Sequence, residues 1–178
     1  GTALNGRARL AAALGVWLAL MAPTGATLAA DREGVRPLSS FPRERIAVET
    51  RSARRHLFEA WRADTPQTRA QGLMFVPELR ADQAMVFVYT PAQLVGMWMM
   101  NTLIPLDVLF VDEGGCVVKV HERAEPGSTA TISSGAPVVL VVELAGGIAA
   151  ALGIGAGDRV LRLDAKWPRA PRACTGKR

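Results

Sequence analysis

The sequence predicts an α+β fold, mostly β: a compact sandwich or barrel-like sheet carrying two very short helices. Three observations lead there. Apolar runs of strand length recur about every 8–12 residues between turn signals, the rhythm of a sandwich or barrel. Only two segments carry helix signals, and a glycine closes each within about two turns. There is no β–α–β alternation to build a parallel sheet, and no internal repeat. With 178 residues, 49% of them hydrophobic, the chain suffices for one domain with a sizeable core.

The first segment has the pattern of a leader. Arg7 and Arg9 give a positive start, residues 10–21 are apolar without a break, and Pro23 and Gly25 precede the small residues of 26–30. We expect a signal peptide over 1–30, cleaved near its end, and a periplasmic or secreted destination in a bacterium. The apolar run is shorter than the ~20 residues a transmembrane helix needs, so no membrane span is expected once the leader is gone. Residues 31–45, rich in Arg, Pro and Ser, read as a flexible arm, 46–165 as a single β-rich domain and 166–178 as a basic tail.

Strand alternation begins at 46–48 and is clear at 56–61, where Leu57, Glu59 and Trp61 oppose His56, Phe58 and Ala60. Asp64-Thr65-Pro66 announces a helix, a capping side chain followed by proline at the first helical position, and Gly72 ends it. Residues 84–89 form a strand apolar on both faces. Leu106, Val108 and Phe110 then share one strand face, while Asp107, Leu109 and Val111 share the other. Asp107 therefore begins a central strand among apolar neighbours, where a carboxylate without a partner would cost several kcal/mol.

Residues 112–115 turn the chain into 117–121, the clearest hairpin in the sequence. Residues 122–136 read as a long irregular loop, of a length that is usually functional or mobile. Val138, Val139, Leu140, Val141 and Val142 mark a fully buried strand within 137–144. Gly146 and Gly147 introduce the second helix, 148–152, closed by Gly153, and 159–163 is the last strand.

The formal net charge is +5, about +3 once Arg7 and Arg9 leave with the leader. The bases crowd the arm and the tail. No aromatic side chains are interleaved with them and no helix-turn-helix or zinc-finger spacing occurs, so nucleic acid is not an expected partner. Gly153-Ile154-Gly155-Ala156-Gly157 follows a helix instead of opening one, which excludes a phosphate loop. Cys116, in the hairpin turn, and Cys174, in the tail, could pair in an oxidising compartment or stay as free thiols. Neither has surroundings that would activate a thiolate.

Several blocks resemble one known family. Arg69 and Gly72-Leu73-Met74-Phe75 are followed by Trp98-Met99, Asn101-Thr102, Ile104-Pro105-Leu106-Asp107 and Leu109-Phe110-Val111-Asp112, then by Glu143-Leu144-Ala145-Gly146-Gly147, Leu152-Gly153-Ile154 and Gly157-Asp158-Arg159-Val160. Together they resemble the family called domain of unknown function 192, in its order and spacing, over residues 56–163. The resemblance implies a compact β-rich domain, commonly exported in bacteria, and no assigned activity. One position departs: the family usually places a Lys before Asn-Thr, where this chain has Met100.

Three kinds of chemistry suit these residues. Arg69, Asn101, Thr102, Asp107 and Glu143 could converge on a pocket for a small molecule, with the Arg69 fork facing an anionic group. They could instead be clamps, with Asp107 paired to Arg69 or holding backbone amides and Asn101 tying down the loop before Pro105. A hydrolase-like reading makes Asp107 and Glu143 an acid–base pair, but no Ser or Cys nucleophile has a recognisable context. Copper could bind through Met97, Met99 and His121, although methionines are also ordinary core filler. No cofactor or zinc site is expected. The reading favoured is a non-catalytic module that binds a small molecule or a protein partner.

Overall fold

The computed structural model describes residues 34–165 and Cys174. The expected leader and the basic tail, Cys174 apart, lie outside the described residues. β1 (Arg43–Glu49) and β2 (Arg55–Ala63) form a hairpin, followed by helix α1 (Pro66–Gln71). Next come β3 (Gln83–Gln93), the two-residue β4 (Gly96–Met97), β5 (Leu106–Val111), β6 (Val117–Ala124) and the equally short β7 (Ile132–Ser133). β8 (Val138–Ala145), helix α2 (Ile148–Leu152) and β9 (Arg159–Arg162) complete the chain. Seven strands pair in the order β6-β5-β8-β3-β2-β1-β9, and β4 pairs with β7 in a separate ribbon.

The two edges of the large sheet meet. Val160 N–H donates to the Gly115 carbonyl at 2.8 Å, and Val117 N–H to that of Asp158 at 2.8 Å. Curling brings one face inward. Ile46, Phe58, Val86, Leu109, Val117, Leu140 and Val160, one or more from each of the seven strands, form a single enclosed core. Ala149 of α2 and Ile154 pack into it. Phe87, Phe110, Leu106 and Val141 form a second core on the outer face, beneath Leu73, Val95, Met97, Met99 and Ile132. Every residue of β5 is buried because its strand runs between these two layers. The mostly β class, the barrel-like curl and the two short helices all agree with the sequence reading.

Three points differ from it. β2 and β3 pair in parallel with α1 between them, one β–α–β crossover that the sequence reading did not expect. Residues 43–45, placed in the arm, belong to β1, and Phe41 before them is buried. The cause is pairing: Glu44 is enclosed and bound by the Arg162 guanidinium of β9, so charge within 43–45 does not keep it in solvent. The loop read over 122–136 is shorter. β6 runs on to Ala124, and Ile132 pairs with Met97. Among the described residues, no helix is long and apolar enough to cross a membrane.

Candidate functional site

A pocket of about 340 Å³ opens on the outer face, between α1, the floor made by β3 and β8, and residues 96–102. Local sequence explains the position of α1. Thr65 Oγ1 accepts from Thr68 N–H while Thr68 Oγ1 accepts from Thr65 N–H, a reciprocal cap, and Pro66 needs no partner at the first helical position. Gly72 ends the helix at φ +51°, where a Cβ would lie 3.1 Å from the Phe87 ring. Only glycine lets the backbone settle so close to the sheet.

Seated there, α1 holds the Arg69 guanidinium 5.1 Å from the centre of the Tyr89 ring. Arg69 Nη1 donates to the carbonyls of Asp64 and Val88, each at 2.9 Å. Among the described residues, no hydrogen bond uses its Nη2, and Arg69 lines the pocket. The Tyr89 hydroxyl donates to Met97 Sδ at 3.7 Å.

Glu143 lies in the pocket lining opposite α1. Its register partners on the same face are Met85 of β3 and Val108 of β5, so apolar side chains flank it. The residue is 4% exposed and its Oε2 has no hydrogen-bond partner. Burial alone pushes its carboxyl up to about 8, so the group is mostly protonated at neutral pH. Tyr89 is pushed up to about 12 by burial, with Arg69 opposing and Glu143 adding to the shift. The mouth is apolar: Met74 and Met100 are half-buried and Trp98 is 51% exposed.

Of the five residues expected to converge, Arg69, Thr102 and Glu143 line this pocket; Asn101 and Asp107 do not. Asn101 takes φ +57°, a conformation asparagine tolerates, and its carbonyl accepts from Phe75 N–H at 2.8 Å, tying the two loops together. Asp107 is fully buried on the inner face, where its carboxylate accepts from the N–H groups of Arg123 (2.8 Å), Gly147 (2.9 Å) and Ala149 (2.8 Å). It is a clamp that joins β5 to β6 and to the start of α2.

That placement rules out the Asp107–Glu143 acid–base pair. Asp107 is registered with Leu144 and Glu143 with Val108, so adjacent strands point the two carboxyls to opposite faces. The copper reading fails for a similar reason. Met97 lines the pocket, whereas Met99 and His121 border a separate depression with Lys119 and Glu125. Among the described residues, no cluster of three His, Cys, Asp or Glu side chains could hold a metal. Cys116 and Cys174 are joined by a disulfide, with Cα atoms 5.4 Å apart. Sequence reasoning did not single out Tyr89, Met74 or Trp98 as pocket residues. Alternation over 97–100 places Trp98 and Met100 on one face, but nothing local shows that this face meets α1.

Fold and pocket together describe a small curled-sheet domain with a half-enclosed, mostly apolar site on its outer face. The chain belongs to the domain of unknown function 192 family, whose model, described as an uncharacterized ACR, matches residues 47–161. Met100 lies in the pocket lining. One similar solved structure is a candidate transcription regulator from Sinorhizobium meliloti 1021, 39% identical, with a TM-score of 0.68 over 69% of this chain and 95% of that one. Another is a protein of unknown function from Novosphingobium aromaticivorans, 36% identical, with a TM-score of 0.68 over 71% of this chain and 90% of that one. No curated protein matches the chain.

Proposed function

We propose that the domain is a non-catalytic binding module whose pocket takes one small organic molecule between Arg69, Trp98 and Glu143. The observation that carries this is Glu143 Oε2: a buried carboxyl oxygen without a partner, in the lining of a cavity of about 340 Å³. Buried polar atoms are nearly always satisfied, and an exception in a pocket lining suits a group that waits for a ligand. The volume and the apolar walls with few polar groups are those of small-molecule sites. The transcriptional role named for the Sinorhizobium protein finds no support among the described residues. The longest α-helix among the described residues has six residues, too short for a helix-turn-helix recognition helix.

Export belongs to the same proposal. A leader-like start and a disulfide both suit an oxidising compartment. Expression with the native leader, followed by fractionation and intact-mass measurement, should find the chain shortened near residues 26–30; full-length protein in the cytoplasm would end the export reading. Binding is tested with a fragment panel on protein carrying 13C-methyl methionine. Compounds that bind should move the Met74, Met97 and Met100 methyl signals together. If nothing in a chemically broad panel moves them at about millimolar concentration, the pocket is not a binding site.

A further inference from the structure

The pocket's polar groups differ in kind. Arg69 brings a guanidinium whose Nη2 no hydrogen bond among the described residues uses, while Glu143 brings a carboxyl flanked by Met85 and Val108. The Tyr89 ring lies 5.1 Å from the Arg69 guanidinium, and its hydroxyl already donates to Met97. A molecule that satisfies both walls needs an anionic group at one end and a hydrogen-bond acceptor at the other, with an apolar body between them.

We propose that the ligand is a small organic acid, its carboxylate bound by Arg69 and its far hydroxyl or carbonyl oxygen accepting a hydrogen bond from the unpartnered Glu143 carboxyl, with its apolar body against Trp98 and Met100. This rests on the pocket being a binding site and adds the class of its occupant. An amine is disfavoured on two grounds. It would have to ionise a carboxyl whose apolar surroundings oppose the charge, and it would share the pocket with the Arg69 cation. A neutral ligand would leave Arg69 uncompensated.

The binding is coupled to one proton. Above about pH 8 Glu143 ionises, loses its donor and faces an acceptor with negative charge. The other titratable groups near it do not confuse the signal. Tyr89 of β3 is pushed up to about 12 by burial, far above the range tested. His121 of β6 lies beyond Val108 in the same cross-strand row and borders the neighbouring depression.

Three probes of one shape test it: para-(hydroxymethyl)benzoate, its methyl ester and para-(hydroxymethyl)benzylamine. Their affinities are read from the Met74, Met97 and Met100 methyl signals in the wild type and in Glu143→Gln, whose amide keeps the shape and a donor but cannot ionise. The benzoate should bind about tenfold more tightly than the ester or the amine, and lose about tenfold between about pH 6.5 and about pH 9. Glu143→Gln should bind it with little dependence on pH. If the ester or the amine moves the same signals as strongly, or the pH dependence persists in Glu143→Gln, the acid assignment is wrong and the pocket stands. If no probe moves them, the binding reading falls as well.

Discussion

Asp107 and Glu143 occupy adjacent strands one register step apart, yet their carboxyls lie on opposite faces of one sheet. Asp107 is surrounded by backbone donors inside the curl, whereas Glu143 has an unpartnered oxygen in the outer pocket. Two acids that look alike in the sequence therefore have opposite surroundings, one held by main-chain donors inside the curl and the other with an unpartnered oxygen in a pocket lining.

Replacing Asp107 by Asn should destabilise the protein without altering the pocket. The amide keeps one acceptor and turns a donor toward main-chain N–H groups that now lack a partner. Losing charge-assisted bonds in a buried site costs about 3 kcal/mol. Urea unfolding should show the midpoint falling with unchanged slope, and the surviving folded protein should bind as the wild type does. Lost binding at unchanged stability would contradict the clamp.

Glu143 should make stability depend on pH in the direction opposite to an ordinary salt-bridged acid. Its folded value, about 8, lies above the ordinary carboxyl value of 4.5. Between the two, the unfolded chain is ionised while the folded one holds a proton. Glu143's contribution is therefore fully present below pH 4.5 and is lost as pH rises toward 8, at up to about 1.4 kcal/mol per pH unit. The difference between wild type and Glu143→Gln, measured by denaturant titration at about pH 5.5, 6.5 and 7.5, should carry that slope. A flat difference would mean that Glu143 ionises normally.

Two glycines near α2 should respond differently to alanine. At Gly146 a Cβ would lie 2.9 Å from Pro105 Cβ and 3.0 Å from its carbonyl oxygen, backbone that cannot swing away. Gly146→Ala should cost about 1–3 kcal/mol. At Gly155 a Cβ would meet nothing within 4 Å and φ is not positive, so Gly155→Ala should be neutral or slightly stabilising. Thermal melts of the two variants check the contrast.

Opening the Cys116–Cys174 disulfide should destabilise the domain by about 2–4 kcal/mol, since it closes a loop of 58 residues in the unfolded chain. Reductant should lower the melting temperature of the wild type and leave a Cys116→Ser/Cys174→Ser variant unchanged. Equal melting of oxidised and reduced wild type would show that the bridge adds no stability.

What the sequence determined by itself is local in origin. Alternation placed β2 and β5, unbroken apolar runs placed β3 and β8, the Thr65-Pro66 start and Gly72 stop bounded α1, and the blocks around Asn101-Thr102 and Asp107 marked the family. Each of those signals depends on residues within a few positions of one another, where side-chain period and backbone preference act directly. Tertiary structure alone decided which face each polar residue serves. Register between β5 and β8 sent Asp107 inward and Glu143 outward, the curl put Glu44 against Arg162, and the docking of α1 on Phe87 brought Arg69 to Tyr89. The physical reason is that a strand's two faces are equivalent until partners cover them. In β5 and β8 both faces are apolar, so local pattern leaves the choice to the layers that pack above and below.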